Sequence, residues 1–374
     1  MQTTADSNVF GNIRSSEVEV TKLLHLAMDG LRQMYLHDRR MFCYRTRLEG
    51  DVLVKSGVSK THTLITLIGL RKAELAGYQP PVETGPIFDA LQDTHTSLNS
   101  IGDIGLYLWL LSMYGGENFE PRNFRIELGS ALERYRDAKQ NRTMELSWFL
   151  SGLSEAAIAC PGMRAHRELA AETFSVIKAN QEASGLFRHL SQAGSLSGHL
   201  RSRIASFADQ IYPIYAFSRF CEAYAAESAL VPAVACAQRI CALQGTLGQW
   251  WWHYDVVEGT VIGPYPVYSV HQDGMAPMSL LALSRISGID FGPAIYKGLH
   301  WIFGQNELNT DLRDTKFSVI WRNIHQPRHK RYFDEAASFF FGRRQKFQVS
   351  GLQVLYECQP YHLGWLLFAL AGSH

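Results

Sequence analysis

The sequence predicts an all-α chain in which about six helix hairpins close into a ring, an (α/α)6 toroid. Two observations predict it. One phrase is written twice: Gln181-Glu-Ala-Ser-Gly185-Leu-Phe187 and Gln244-Gly-Thr-Leu-Gly248-Gln-Trp250 share Gln, three residues, Gly, one residue, aromatic, at a separation of 63 residues. Each copy precedes a Tyr-Pro-hydrophobic-Tyr phrase, Tyr212-Pro-Ile-Tyr215 or Tyr265-Pro-Val-Tyr268. The second observation is alternation: strongly apolar helical stretches take turns with amphipathic ones. Repetition implies stacked supersecondary units. Inner helices of a ring touch both an outer layer and a cavity, so they are apolar nearly all round, whereas outer helices keep a wet face.

The elements follow in order. Val18 to Tyr35 sets Leu23, Leu24, Met28, Leu31 and Met34 on one side of a helix. Lys60 to Ala76 is a second helix, capped by Ser59. Leu98 to Tyr114 is apolar on most sides. Pro121 to Lys139 opens with proline in its first turn and carries charge on one face. Met144 to Ala159, Arg164 to Asn180, Phe207 to Ala226, Pro232 to Leu243, His271 to Ile286 and Phe291 to Gly304 continue the alternation, and Tyr361 to Ala371 closes it. Leu308 to Tyr356 fits poorly and reads as an irregular crossing, with an imperfect outer helix around Phe333 to Phe341. No Pro/Gly/Ser-rich linker divides residues 1–374, so one domain is expected, with 1–15 as a flexible lead.

Composition sets limits. Of 374 residues, 46% are hydrophobic, 12% aromatic and 19% charged, which suits a globular chain with a lined pocket. A formal charge of +1 gives no global field toward nucleic acid or a membrane surface. The polar N-terminus has no apolar signal core, and the longest apolar stretch, Ile104 to Leu111, is too short to span a bilayer. The six cysteines form no C-x-x-C pair and read as reduced packing residues, so a cytoplasmic protein is expected. Oligomeric state stays open.

Gln-x3-Gly-x-Trp is the repeat signature of the squalene and terpenoid cyclases, which share an α/α toroid with protein prenyltransferases. The segment Gly248-Gln-Trp-Trp-Trp-His-Tyr-Asp255, Tyr265-Pro266, Val270-His-Gln-Asp-Gly-Met-Ala276 and Leu280-Leu-Ala-Leu283 resembles the class II cyclase stretch running from a tryptophan strip through Tyr-Pro to an acidic motif. The resemblance covers 244–283 and, more loosely, 181–217. It implies a toroid and an isoprenoid substrate. The chain departs from the pattern where the acid cluster belongs, because Val270-His271-Gln272-Asp273-Gly274 keeps one carboxylate. No Asp-Asp-x-x-Asp motif is present to hold magnesium on a diphosphate, although Asp311-Leu-Arg-Asp314 comes nearest. No zinc spacing appears. No cofactor is therefore expected, with magnesium left open.

Starts of inner helices face one mouth of the ring, so polar residues there converge. The acid/base candidates are His271, Asp273, Asp103 and Glu145, and His62, Gln210, Gln272 and His362 join them. A His beside carboxylates suits proton transfer near neutral pH. The plain alternative is a helix cap at Asp273, a hydrogen-bonded core His271, and buried polar contacts at Asp103 and Glu145. Trp250, Trp251, Trp252, His253 and Tyr254 cannot all enter a core from one element, so part of this strip should meet a pocket. Aromatic faces serve carbocations through the ring quadrupole and sugars through stacking. Tyr212, Tyr265 and Tyr268 flank the same region. Arg322, with the run Arg328 to Arg331, suits an anionic substrate group or a solvated loop. The reading is an isoprenoid enzyme of the cyclase type. The alternatives are a lyase, epimerase or hydrolase on an acidic saccharide, and a non-catalytic toroid.

Overall fold

The computed structural model describes residues 5–93, 100–115, 142–190, 202–326 and 351–372. The helix expected at Pro121 to Lys139, the one around Phe333 to Phe341, and the basic run 328–331 lie outside the described residues.

The principal elements, in chain order, are these. Helix α1 (Ala5–Met34) runs into the polar segment read above as a flexible lead. A hairpin follows, β1 (Met41–Glu49) and β2 (Val52–Val58). Then come α2 (Lys60–Leu75), α3 (Gly85–Asp93), α4 (Ile101–Gly115), α5 (Thr143–Ala159) and α6 (Arg167–Lys178). Strand β3 (Ile204–Ser206) leads into α7 (Phe207–Tyr224), and α8 (Leu230–Ala242) follows. Strands β4 (His253–Asp255) and β5 (Val267–Tyr268) precede a π-helical turn (His271–Met275) that runs directly into α9 (Ala276–Ser287). Helix α10 (Gly292–Ile302), strands β6 (Asn323–His325), β7 (Gln353–Leu355) and β8 (Glu357–Cys358), and α11 (Pro360–Leu370) complete the chain.

The ring closes through its inner helices. Helix α2 packs on α4, α4 on α5, α5 on α7, α7 on α9, α9 on α11, and α11 on α2 again. Helices α6, α8 and α10 lie outside, against α5 and α7, α7 and α9, and α9 with its π-turn, respectively, and α1 covers α11. The all-α toroid read from the sequence is thus the fold, with short strands added at one end. Two inner crossings are backbone-tight. A Cβ on Gly69 would stand 2.0 Å from the Gly364 oxygen, and one on Gly152 2.1 Å from the Gly105 oxygen. Only glycine lets these helices approach so closely.

The repeated phrase has a repeated geometry. Gln181 Nε2 donates to the carbonyls of Gly185 (2.8 Å) and Pro232 (2.9 Å). Gln244 Nε2 donates to those of Gly248 (3.0 Å) and Ala294 (2.9 Å). Each glutamine closes its own turn and ties it to the next outer helix. Gly185 and Gly248 take φ of 88° and 99°, the left-handed region open to glycine. A second glutamine then clamps each aromatic. Gln210 bonds both backbone groups of Phe187, at 2.7 and 2.9 Å. Gln272 accepts from Trp250 N at 3.3 Å and donates to the Tyr268 carbonyl at 3.2 Å.

The hairpin β1–β2 was not expected from the sequence. β1 pairs with β2 on one side and β8 on the other (Arg47↔Glu357, Thr46↔Cys358). β6 joins β5 to β7. These sheets sit at the end of the ring where the inner helices begin.

Candidate functional site

A cavity of about 300 Å³ opens at that end. Its wall follows helical spacing. Helix α2 contributes Thr61, His62 and Ile65; α5 contributes Met144 and Trp148; α7 contributes Ala208 and Tyr212; the π-turn contributes His271 and Met275. Residues four apart share one helix face, so each of these elements aims its first turns inward. Tyr44 from β1, Trp252, Tyr268 from β5, Arg322, Gln359 and Tyr361 complete the rim.

Both cavity histidines are held in one tautomer. His62 Nδ1 stands 3.0 Å from the Tyr44 carbonyl, and His271 Nδ1 stands 3.5 Å from that of Trp250. A carbonyl only accepts, so Nδ1 carries the proton and Nε2 keeps the lone pair. Burial pushes the His62 pKa down to about 4 and that of His271 down to about 3, so both rings are neutral at physiological pH. His62 is sandwiched by Tyr44 (centroids 4.9 Å, 13°) and Tyr361 (4.7 Å, 41°). His271 packs against Phe207 at 4.5 Å and Tyr268 at 5.3 Å. Desolvation raises the phenol pKa of Tyr212 and pushes that of Tyr361 up to about 12, so both are protonated O–H donors. Arg322 lies 5.6 Å over the Tyr268 ring and donates from Nη1 to Glu357 Oε2 at 3.0 Å.

The structure thus brings His62, Tyr212, Trp252, Tyr268, His271 and Arg322 together on one wall. It places the other sequence candidates elsewhere. Asp273 and His362 pair behind the wall, Nε2 lying 2.8 and 2.9 Å from the two carboxylate oxygens. Burial disfavours both charged forms, raising the Asp273 pKa and opposing the imidazolium of His362, but at His362 the facing carboxylate outweighs it and lifts the pKa to about 10, and the two-oxygen contact favours the ion pair. The π-turn makes this division possible, turning His271 to the cavity and Asp273 to α11 within three residues. Asp103 stands one layer out, accepting from Thr61 Oγ1 at 2.6 Å, with its pKa raised chiefly by burial. Glu145 is buried beside it and accepts from Arg142 Nη1 at 3.0 Å. Trp250 and Tyr254 are fully buried core residues. Trp251 donates from Nε1 to the Leu243 carbonyl at 2.8 Å, Tyr265 donates to Glu307 at 2.8 Å, and His253 stacks behind Trp252 at 4.3 Å. Gln210 and Gln272 are the backbone clamps described above.

Sequence reasoning missed Tyr44, Thr61, Met144, Trp148, Gln359 and Tyr361. Thr61 and Tyr361 obey the rule that selected His62, since they open α2 and α11. Tyr44 carried no such signal. Among the described residues no group of three or more His, Cys, Asp or Glu is placed to hold a metal ion. No helix among them is long and apolar enough to cross a membrane.

No family profile matches the chain, and no curated protein matches it. Solved structures do. An unsaturated glucuronyl hydrolase specific for heparin is 15% identical, with a TM-score of 0.59 over 94% of this chain and 95% of its own. A sugar epimerase from a ruminal bacterium is 10% identical, with a TM-score of 0.60 over 94% and 98%. An inactive variant of an alpha-1,6-mannanase of Salegentibacter sp. HEL1_6, in complex with alpha-1,6-mannotetrose, is 12% identical, with a TM-score of 0.59 over 94% and 98%. The isoprenoid reading is corrected here. These neighbours are named for saccharides, and the wall carries imidazoles, phenols and a guanidinium where a hydrocarbon cavity needs an apolar surface. The one carboxylate of the cyclase-like motif, Asp273, is committed to His362. At these identities what the chain shares with the neighbours is the fold, an α/α toroid spanning nearly the whole length of each.

Proposed function

We propose that the chain is a carbohydrate-active enzyme that removes a proton from a sugar carbon next to a carbonyl or carboxyl group, as an epimerase or a lyase does. The composition of the cavity wall carries this reading. It holds two imidazoles kept neutral, four phenols, one guanidinium, and no carboxylate among its described residues. A glycosidase of the usual kind places two carboxyl groups across the scissile bond. Proton abstraction asks for a different set: a neutral base, an acid, and a cation or hydrogen-bond donor where negative charge develops.

His62 and His271 each present a free Nε2 lone pair as base. Burial among aromatic rings depresses their pKa. Negative charge growing on the substrate offsets the burial penalty of an imidazolium and raises proton affinity as the reaction proceeds. Tyr212 and Tyr361 keep their phenol protons and donate to sugar oxygens. Arg322 faces the developing enolate. Trp148 and Trp252 offer ring faces to the CH surfaces of a pyranose. Epimerisation and elimination share the first step. They part on whether the carbanion is reprotonated or expels its β-substituent. The epimerase and the glucuronyl hydrolase among the structural neighbours support a saccharide occupant.

The test is solvent-proton exchange. Reducing disaccharides and uronate-containing oligosaccharides are incubated with the protein in deuterated water and followed by NMR. The proposal expects deuterium at the carbon next to the carbonyl or carboxyl group, with an epimer or an unsaturated product. New reducing ends without carbon-bound deuterium would overturn it in favour of hydrolysis.

A further inference from the structure

Three arginines converge on one carboxylate at the edge of the cavity. Glu357 is 2% exposed and begins β8. Its Oε1 accepts from Arg45 Nη1 at 3.1 Å, from Arg47 Nε at 2.9 Å and from Arg47 Nη2, while Oε2 accepts from Arg322 Nη1 at 3.0 Å. Burial alone would raise the Glu357 pKa, but the arginines hold it below the ordinary carboxylate range. Arg45 and Arg47 alternate along β1, so they share a face of the strand. No other carboxylate bonds any of the three among the described residues. Among the described residues, three guanidinium groups therefore meet one negative charge. Arg322 Nε is buried without a protein partner among the described residues. Like charges gathered on a partly buried edge are costly unless an anion joins them.

The cluster also joins two concavities. Arg322 lines the cavity that holds His62 and His271. Arg47 lines a second cleft of about 610 Å³, with Thr310, His325, Gln353 and Tyr356. Both arginines bind the same Glu357.

We infer that Arg45, Arg47 and Arg322 form a receptor for an oxyanion borne by the saccharide, a carboxylate or sulfate, and that the cleft beside Arg47 seats the sugar unit carrying it. The guanidinium fork matches such groups with two parallel N–H donors. Glu357 spaces the arginines and offsets part of their mutual repulsion. This rests on the saccharide reading above, but binding and turnover are separate measurements.

Calorimetry of the full chain settles it with matched probes: a glucuronate-terminated disaccharide, its neutral glucose counterpart, and inorganic sulfate. The acidic disaccharide is expected to bind about tenfold or more tighter than the neutral one, as charge-assisted hydrogen bonds should give. Arg47→Gln and Arg45→Gln should each shrink that preference several-fold, and Arg47→Lys, which keeps the charge but loses the fork, should retain part of it. Circular dichroism confirms that each variant is folded, and Arg47→Lys serves if Arg47→Gln is not. Equal affinity for the two disaccharides overturns the inference. So does sulfate binding that leaves the disaccharide preference untouched, which marks a site for free inorganic anion only. Acid preference without deuterium exchange would retain this receptor and sink the proton-transfer reading, and exchange without acid preference would do the reverse.

Discussion

At the scale of single residues, two neutral imidazoles with fixed tautomers dominate. Each Nδ1 proton is spent on a carbonyl, and each Nε2 is left as an acceptor. His271→Ala is expected to lower the exchange rate by about two to four orders of magnitude, the range for losing a positioned acid or base. His62→Ala should fall in the same range if both act as bases, and near-full activity in either variant removes that residue from the mechanism. The pH profile checks the protonation state. With folded pKa values of about 4 and about 3, the lone pairs persist well below the ordinary histidine range. The rate per folded molecule should stay flat from about pH 8 to about pH 5. A drop centred near 6.5 would show that the rings are not held neutral. Much of this site was legible, because His62, His271 and Tyr212 lie in the first turns of inner helices, where ring geometry forces convergence. Gln210 and Gln272, read from the sequence as substrate ligands, bond the backbone of Phe187, Trp250 and Tyr268. Polarity in an apolar run is equally the mark of a backbone clamp, and only coordinates separate the two.

The elements that build the ring owe their register to repeated clips and to bare glycine crossings. Gln244→Ala leaves the carbonyls of Gly248 and Ala294 without their donor, and should cost about 1–3 kcal/mol of unfolding free energy in denaturant titration. Gln181→Ala tests the twin clip and should behave alike, whereas a shift below a few tenths would deny both clips a stabilising role. Gly69→Ala is more severe. The added carbon would overlap the Gly364 backbone, and α2 must move from α11 to admit it. Overpacking of this kind typically costs about 1–3 kcal/mol or more. Since His62 sits on α2, weaker binding should accompany the loss, and an unchanged melting temperature would contradict the crossing. Helices were readable because apolar periodicity over a dozen residues is a strong signal. The hairpin of β1 and β2 was not. β1 is pinned on its other side by β8, more than 300 positions later in the chain, and β2 is nearly all exposed, so neither shows clean alternation.

For the whole molecule, the buried histidines make stability depend on pH in two directions. The native pKa of His62 and of His271 lies below the unfolded value of about 6.5. As pH falls below that value the unfolded chain takes up protons that the native ring refuses, so stability is lost in acid toward about pH 4 and then about pH 3. His362 runs the other way. Its native pKa of about 10 lies above the unfolded one, so its contribution is complete below about 6.5 and vanishes as pH climbs through about 10. Melting temperature should peak between these limbs. His271→Phe, which keeps an aromatic against Phe207, should flatten the acid limb, and an identical acid slope would refute the assignment. His362→Ala strands a buried carboxylate where the π-turn meets α11 and should cost about 3–5 kcal/mol at neutral pH. The circular arrangement itself was readable from alternation and the doubled phrase. The occupant of its centre was not, because a tryptophan strip serves a carbocation and a pyranose equally well.

The segment between α1 and α2 has an outcome for how such a protein diversifies. One excursion of the chain, Met41 to Val58, delivers the tyrosine that lies over His62 and two of the three arginines around Glu357. The glycine crossings and the glutamine clips involve none of its residues. On the proposed reading, one graft there would change which sugar is welcomed and also how His62 is seated, so preference and chemistry are tied together through a single stretch of chain.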